Sequence, residues 1–277
     1  MGCAVIPDVA GRLVGKVVLV TGSSPNIGGV AASGFAAAGA KVACNDIRPE
    51  VAQDRVERIV AAGGDAMAVP ADVTDEAAIA AAIGAVLERW GRIDVLLNNA
   101  VQFNTKGILT MSVAEYRRQV DIIMGGAFLA TQQVARSMID RNIGGSIICI
   151  LSTAAWQGQA GNIGYCSAKS GMINFVRSTA MELAPYGIRV NGFTPTATQP
   201  VEPALAERFA EAAAAGPARG MDFVGQMPYG RLPTPEDYVA PMVFLSSEDS
   251  AIMTGSNLTI DGGATAKYWP QSPIRTT

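Results

Sequence analysis

The chain has 277 residues, and its 21 lysines and arginines against 24 aspartates and glutamates give a formal net charge of −3. A slightly acidic chain of this kind is not an electrostatic binder of nucleic acid. Hydrophobic residues make up 49% of the sequence and charged residues 16%, so it can bury a large core and is not a disordered chain.

The sequence contains no histidine. This excludes a Ser-His-Asp or Cys-His hydrolase and any His-ligated metal site, and we expect no metal. General acid–base chemistry must therefore use Tyr, Lys, Asp, Glu or Cys. The four cysteines show no CxxC spacing, and two of them lie in apolar runs, where we expect small buried hydrophobic residues.

No apolar run approaches the roughly 18 residues of a membrane span. The N-terminus also lacks the basic and apolar regions of a secretory signal. With the unpaired cysteines, these features predict a soluble cytoplasmic protein that acts on a small molecule and has no membrane or nucleic-acid partner.

Short β-branched apolar runs alternate with Ala-rich helical stretches along the chain, and nearly continuous apolar character is typical of strands buried on both faces. The alternation predicts right-handed βαβ units, hence one α/β domain over residues 1–277 with a doubly wound parallel sheet between two layers of helices. Predicted strands cover 16–21, 41–46, 66–71, 95–99, 146–151, 188–193 and 257–260, and predicted helices cover 27–38, 50–62, 75–90, 112–141, 162–184 and 235–246.

The stretch from Pro195 to Pro233 interrupts this alternation. It contains six prolines and a short Ala-rich helix at about 203–215. An insertion of this length after the carboxyl end of a strand is typical of a lid over a ligand site. We therefore predict a substrate lid over about 196–233.

A turn of small residues joins the first predicted strand to the first predicted helix, and it runs from Thr21 to Gly29 as TGSSPNIGG. Small residues there let the backbone approach a pyrophosphate at the helix N-terminus, although such a loop alone is equally well explained as an ordinary turn. Asp46 ends the next strand 18 positions after Gly28, close to the spacing of a carboxylate that binds the adenosine ribose. The predicted cofactor contacts in this half are Gly22, Ser24, Asn26, Ile27, Gly28, Asp46 and Ile47.

Asp46 also bears on the choice of cofactor. A carboxylate at the ribose repels a 2′-phosphate, and Pro25 in the loop supplies no cation to offset it, so NAD is favoured. The nearby Arg48 keeps NADP possible. Asp72 and Val73 close the third predicted strand, where Asp72 either accepts from the adenine amino group or forms an ordinary helix-capping turn.

A Ser-Tyr-Lys set is the candidate for acid–base chemistry. Tyr165 and Lys169 are four positions apart on a predicted helix and so share one face, and Ser152 ends the preceding strand. A nearby ammonium, with the charge of an oxidised nicotinamide, is expected to lower the phenol pKa toward neutrality. Ser152 would hydrogen-bond the substrate oxygen. Because a YxxxK pair can arise by chance, it is informative only together with Ser152 and the upstream loop.

Together these motifs resemble those of the short-chain dehydrogenase/reductase family from Gly15 to Gly263. The resemblance implies a Rossmann-type domain with a seven-stranded sheet, and hydride transfer between an alcohol or carbonyl and nicotinamide. Tyr165 would be the acid–base and Ser152 would polarise the carbonyl, while Lys169 would hold the nicotinamide ribose and depress the Tyr165 pKa. The matching segments are Thr21-Gly22 through Gly28, Asp72-Val73, Asn98-Asn99-Ala100, Ser152, Tyr165 with Lys169, Pro195 and Asp261-Gly262-Gly263.

The same resemblance implies further cofactor contacts and an assembly. The implied contacts are Asp72, Val73, Asn99, Ala100, Tyr165, Lys169, Pro195 and Thr198. Family members are commonly tetramers built on two large helices and the C-terminal strand. Helices 112–141 and 162–184 are the matching segments, so a homotetramer is expected.

The sequence departs from the family pattern at four positions. Asn26 replaces a loop glycine, and because Asn tolerates left-handed dihedrals we expect the turn to survive. Val101 and Thr196 stand where the family has glycine. Ile123 aligns with a catalytic Asn that helps hold a water linking Lys169 to solvent, so that side-chain contribution is lost unless Asn104 or Gln102 replaces it.

The predicted substrate contacts are Phe103, Ala154, Trp156 and Phe223, with Gln102, Met221, Val224 and Trp269 nearby. Aromatic and Met residues at such positions are more often lid packing than substrate contacts. Together they favour a neutral, largely apolar or cyclic secondary alcohol or ketone. Arg219 is expected to be a surface charge rather than a partner for a substrate carboxylate.

The sequence thus favours an NAD-dependent alcohol dehydrogenase or ketone reductase. The alternative is a dinucleotide-binding sensor or scaffold with weak or no turnover, which the residues at Asn26, Val101 and Ile123 motivate. A transferase that uses S-adenosylmethionine on a similar sheet is disfavoured, because it gives the Tyr165–Lys169 pair no role.

Overall fold

A single parallel sheet organises the structure, a computed structural model that describes residues 9–104, 106–200, 202–215, 223–225 and 227–268. The strand order is β3-β2-β1-β4-β5-β6-β7, and each neighbouring pair is parallel. Because the order reverses between β1 and β4, a crevice opens there at the carboxyl edge of the sheet. The strands are β1 (Val17–Thr21), β2 (Lys41–Asn45), β3 (Asp65–Ala68), β4 (Val95–Asn98), β5 (Gly145–Ile150), β6 (Ile188–Pro195) and β7 (Asn257–Ile260).

Helices cover both faces of the sheet, which confirms the predicted doubly wound α/β class. One apolar core joins the sheet to α3, α5 and α6, and a second joins it to α1, α2 and α8. The helices are α1 (Ile27–Ala37), α2 (Pro49–Ala61), α3 (Glu76–Trp90), α4 (Val113–Val120), α5 (Gly126–Asp140), α6 (Ile163–Leu183), α7 (Pro203–Ala215) and α8 (Val239–Ser246). In the described residues, none of these helices is long and apolar enough to cross a membrane.

Three predicted elements differ from the observed ones. The predicted helix 112–141 is interrupted by a π-helical turn at Asp121–Gly125, a feature that often marks functional sites. The predicted strand 66–71 ends early, at Ala68: Val69 and Ala71 still donate to the carbonyls of Cys44 and Asp46, but Pro70 between them has no N–H to donate. The predicted helix 235–246 begins as a 3-10 turn at Pro235–Tyr238.

Candidate active site

The loop between β1 and α1 is tied to the end of β4. Asn99 Nδ2 donates to the carbonyl of Gly22 at 2.7 Å, and Thr21 Oγ1 accepts from the backbone N–H groups of Asn99 and Ala100. Gly22 has a φ of 69°, and a Cβ there would lie 2.8 Å from Ala100 Cα. Only glycine therefore fits at this turn, and the turn holds the two strand ends on either side of the crevice.

The loop before α1 and the first turn of that helix form a cradle whose glycine leaves no room for a side chain. A Cβ on Gly28 would overlap the carbonyl of Gly22 and the amide of Asn99. Asn26 has a φ of −153°, so the left-handed geometry that we expected it to tolerate is not used. Ser23 Oγ and Asn26 Oδ1 are buried without a hydrogen-bond partner in the described residues. The loop thus fits an anionic dinucleotide: Ser23 Oγ can donate to a phosphate oxygen, and Asn26 Oδ1 can accept from a hydroxyl of the ligand.

The end of β2 places a buried carboxylate beside this loop. Asp46 is 6% exposed, and the backbone N–H of Ser23 donates to the carbonyl of Asn45, the residue before it. Asp46 Oδ1 accepts from the backbone N–H of Arg48, whose Nε lies 3.6 Å away. The neighbouring Ile47 is exposed. Asp46 therefore lies where it can bind a ribose hydroxyl, with a cation close to it.

Asp72 forms a turn, which was the alternative to a contact with the adenine amino group. Its Oδ1 accepts from the backbone N–H and hydroxyl of Thr74, and its Oδ2 accepts from Arg118 Nη2 at 2.7 Å. These bonds lower the Asp72 pKa against the opposing effect of burial. Val73 is buried against Gly126, where a Cβ would meet its side chain. The Asp72 carboxylate is therefore held by the protein itself.

Ser152 and Tyr165 lie together at the carboxyl end of β5. Ser152 is extended, and its Oγ accepts from the backbone N–H of Ala154 at 3.1 Å. Tyr165 is in the first turn of α6, and its ring lies 4.9 Å from that of Phe103, centroid to centroid. Burial raises the pKa of Tyr165 to about 12, although a hydrogen bond with Ser152 lowers it. The phenol therefore sits beside an aromatic wall and a hydroxyl.

Lys169 is buried one turn further along α6. Its Nζ donates to the carbonyl of Ile150 and lies 5.7 Å from the centroid of the Tyr165 ring. Burial lowers the pKa of Lys169 to about 8, against the effect of Cys149. The expected fall of the Tyr165 pKa toward neutrality is thus not produced by the protein's own groups, because burial outweighs them. The positive charge of an oxidised nicotinamide would act in the direction that lowers it.

Ile123 lies in the π-helical turn and faces Lys169 across a small cavity of about 10 Å³, roughly the size of one water. Asn98 lines the same cavity, and its Oδ1 has no partner in the described part of the chain. Sequence reasoning did not single out Asn98 for this position, although it is part of the Asn98-Asn99-Ala100 motif. Gln102 and Asn104 do not line this cavity: the Gln102 carbonyl accepts from Gln119, and Asn104 Oδ1 accepts from the Lys106 N–H.

Pro195 ends β6, and the segment after it makes internal bonds. The hydroxyl of Thr198 donates to the carbonyl of Thr196 at 2.8 Å and lies 3.0 Å from the hydroxyl of Tyr238. The side chain of Thr198 is therefore engaged within the protein, and its backbone is the part left for a predicted cofactor contact.

The predicted substrate residues differ in burial. Phe103 packs on the Tyr165 ring yet is 63% exposed, and Trp156 is 47% exposed. Ala154 and Phe223 are partly buried, Val101 and Val224 are exposed, and α7 forms the predicted helix of the lid. Met221, Arg219 and Trp269 lie outside the described residues. An open, largely apolar approach to Tyr165 follows from the residues that are described.

The cysteines behave as predicted where the structure describes them. Cys44 and Cys149 are fully buried and free, and burial raises the pKa of their thiols to about 12 and about 11. Both are therefore neutral packing groups. Across the described ranges, no cluster of three or more Cys, Asp or Glu side chains could hold a metal ion.

Known proteins resemble this chain over most of its length. A family model described as enoyl-(acyl carrier protein) reductase matches residues 22–265. The trans-4-hydroxycyclohexanecarboxylate dehydrogenase of Sinomonas cyclohexanicum is 36% identical over 264 residues, which are 93% of this chain and 96% of that protein. The D-threitol dehydrogenase of Mycolicibacterium smegmatis is 33% identical over 92% of this chain and 95% of that protein.

A solved structure is similar in fold as well. The gluconate 5-dehydrogenase from Burkholderia cenocepacia, in complex with NADP and tartrate, superposes with a TM-score of 0.84 at 29% identity. The match covers 92% of this chain and 97% of that one.

Proposed function

The chain belongs to the short-chain dehydrogenase/reductase family and is an oxidoreductase of secondary alcohols or ketones, and we propose that it uses NAD with Tyr165 as its acid–base. The observation that carries the proposal is the buried Tyr165 phenol beside Ser152 and Lys169, on the same carboxyl edge of the sheet as the Gly22–Gly28 cradle. A bound nicotinamide supplies or accepts the hydride.

The side chains of the site would transfer the proton and stabilise the charge on the substrate oxygen. Tyr165 takes the hydroxyl proton of an alcohol, or gives one to a ketone. Ser152 hydrogen-bonds the same oxygen and stabilises the charge that develops on it. Lys169, whose Nζ faces the crevice near the Tyr165 ring, adds positive charge that favours tyrosinate. Phe103 packs on the phenol and keeps water from that side of the ring.

Proton exit beyond Lys169 cannot use a side-chain oxygen at position 123. Asn98 lines the water-sized cavity between Lys169 and Ile123, and its Oδ1 has no partner in the described residues, which supports a role for Asn98 as the acceptor there. The relatives are dehydrogenases, and this favours turnover over the sensor alternative.

NAD is supported by the buried carboxylate of Asp46 at the ribose position. Arg48, in ion-pair contact with that carboxylate, is the group that would partly offset a 2′-phosphate. The relative weight of these two groups is the basis for preferring NAD over NADP.

The substrate that we propose is a neutral, largely apolar or cyclic secondary alcohol. The aromatic side chain of Phe103 on the Tyr165 ring supports an apolar ring, as does the exposed Trp156 in the segment that follows Ser152. One relative acts on a hydroxylated cyclohexane ring and another on a linear polyol, so both chemical shapes belong in a test.

We also propose a homotetramer in the cytoplasm. Exposed apolar side chains on α4, α5 and α6, among them Tyr116, Phe128 and Met181, support an interface on these helices. Free cysteines support a reducing compartment. Sedimentation equilibrium of the wild type beside Phe128→Lys tests the assembly, and a monomeric wild type would refute it.

The decisive experiment is nicotinamide absorbance with NAD and NADP separately, over cyclic alcohols, polyols and their ketones. Tyr165→Phe should lose about 1000-fold or more in turnover while it still binds NADH. Tyr186→Phe, an exposed phenol just beyond α6, is the matched control and should keep full activity. Turnover that survives Tyr165→Phe would refute the assigned acid–base.

A further inference from the structure

Arg55 is a buried cation that the chemistry above does not use. It lies on α2 and is 5% exposed. Its Nη1 donates to Ser33 Oγ at 3.1 Å, and its Nε has no hydrogen-bond partner among the described residues. No carboxylate in the described part of the chain lies within ion-pair distance of it. A buried charge without a counter-ion is costly, and the cost calls for a compensating anion.

The guanidinium of Arg55 packs against the first turn of α1 at Gly29. A Cβ on Gly29 would be 2.7 Å from Arg55 Nη2 and 2.8 Å from its Nε. The same Cβ would be 2.5 Å from the carbonyl of Ser24, which accepts from the Gly29 N–H. Gly29 therefore allows Arg55 to approach the loop that forms the cradle, on the side opposite Gly28.

The surroundings of Arg55 leave its charge largely uncompensated. Its nearest thiol, Cys44, is neutral because burial raises that pKa to about 12. Asp54 and Glu202 act on it only at a distance, and both form ion pairs with Arg58 instead. Helix α1 has no acidic residue in its first turn, and Asn26 makes no side-chain cap there. The charge of Arg55 and the dipole at the N-terminus of α1 therefore both contribute positive potential at the same place, in a region with little solvent.

We propose that Arg55 is a positioning residue for the dinucleotide, whose charge, delivered through the first turn of α1, strengthens binding of the cofactor diphosphate. This inference rests on the proposed use of a nicotinamide dinucleotide. It assigns to α2 a part of cofactor binding that the Gly-rich loop alone does not provide. The affected ligand group is the diphosphate, and not the adenine or a 2′-phosphate.

The binding of three ligands, each of which contains less of the cofactor than the one before, tests the role of Arg55 without turnover. The affinities of NADH, ADP-ribose and adenosine are measured by calorimetry for the wild type, Arg55→Met and Arg55→Lys. Arg55→Met should weaken NADH and ADP-ribose about tenfold and adenosine less than about twofold. Arg55→Lys should recover most of the affinity, because it keeps the charge. In steady state, the KM for NAD should rise while kcat stays within about twofold.

The control is Arg58→Met, which removes an exposed arginine from the same helix and should leave all three affinities unchanged. Equal losses for adenosine and ADP-ribose would show a merely structural role and overturn the inference. A loss confined to NADP would assign Arg55 to a 2′-phosphate and overturn it as well. A wild type that binds neither NADH nor ADP-ribose would instead refute the proposed function.

Discussion

The two edges of the sheet use their polar side chains in opposite ways. At the amino edge, a groove of about 300 Å³ is lined by three cations, and each is paired: Lys16 with Glu248, Arg92 with Asp94, and Arg189 with Ser250 and two carbonyls. At the carboxyl edge, several buried side chains keep an atom without a partner in the described residues, among them Ser23, Asn26, Asn45, Arg55 and Asn98.

The difference separates a structural surface from a binding site. A buried polar atom without a partner costs free energy, so a fold keeps such atoms where a ligand will supply the missing bond. Polar groups alone do not mark the site, because the amino edge is as charged as the carboxyl edge. The binding site is marked instead by buried polar atoms that lack a hydrogen-bond partner. The substitutions below are chosen to test this contrast, each paired with a control.

The largest loss of cofactor affinity is expected for Gly28→Ala. The added methyl would overlap the Gly22 carbonyl and the Asn99 amide, which form the cradle. NADH affinity should fall about 100-fold or more, as measured by fluorescence titration. Gly84→Ala is the control: it lies on α3 with nothing near its Cβ, and it should stabilise the fold by about 0.5–1 kcal/mol. Normal NADH binding by Gly28→Ala would contradict the assignment of the cradle.

Lys169→Met should lower kcat about 100-fold, because the charge that favours the Tyr165 tyrosinate is removed. The amino-edge counterpart, Lys16→Met, breaks only an exposed ion pair with Glu248 and should change kcat less than about twofold. Steady-state kinetics of the two variants compares a buried site cation with a surface one. Equal kinetics for both would remove the functional distinction between the edges.

Lys169 also predicts how stability changes with pH. Its pKa is about 8 in the folded protein, below the usual 10.5, so the unfolded chain binds the proton more tightly. Between pH 8 and 10.5 the unfolded state therefore carries more protons, and stability rises with pH by up to about 3 kcal/mol. Urea unfolding should show this rise in the wild type relative to Lys169→Met. A constant difference from pH 7 to 10.5 would contradict it.

Asp46→Ser should shift the preference between cofactors. Removal of the buried carboxylate leaves Arg48 unopposed at the ribose, so the ratio of kcat/KM for NADP to that for NAD should rise about tenfold. Asp54→Ser, which removes an exposed carboxylate from α2, should leave the ratio unchanged. A preference that does not move in Asp46→Ser would mean that the ribose lies elsewhere.

The fold was predictable because its signal is local. Continuous apolar runs such as Val17–Val20, and the small residues from Gly22 to Gly28, specify buried strands and a tight turn without knowledge of distant contacts. The π-helical turn at Asp121–Gly125 was missed, because its effect on hydrophobic periodicity is only one residue.

The site was only partly predictable, because its electrostatics depend on three-dimensional burial. The i, i+4 spacing placed Tyr165 and Lys169 correctly on one face, yet it gives no sign that burial raises the Tyr165 pKa before a nicotinamide binds. Arg55 reads in the sequence as one of the charged residues of an amphipathic helix. Only the packing of α2 against Gly29 shows that it is buried and lacks a partner.

The smallest effect on catalysis is expected for Arg189→Met at the amino edge. Its guanidinium donates to Ser250 Oγ and to the carbonyls of Leu245 and Ser247 at 2.8–3.0 Å. Loss of these bonds should lower the free energy of unfolding by about 2 kcal/mol and leave kcat and the KM for NAD within about twofold. Urea unfolding and steady-state kinetics measure the two quantities on the same protein.

Arg189 and Arg55 then form a direct pair, since each is an arginine that lies largely within the protein at one edge of the same sheet. The guanidinium of Arg189 is fully paired, so its removal should lower the free energy of unfolding and leave cofactor binding unchanged. Arg55→Met loses only the bond to Ser33 Oγ and relieves an unfavourable buried charge, so it should cost less stability than Arg189→Met while it weakens cofactor binding. Cofactor binding impaired by Arg189→Met, or a larger loss of stability in Arg55→Met than in Arg189→Met, would show that unpaired atoms do not distinguish the two edges.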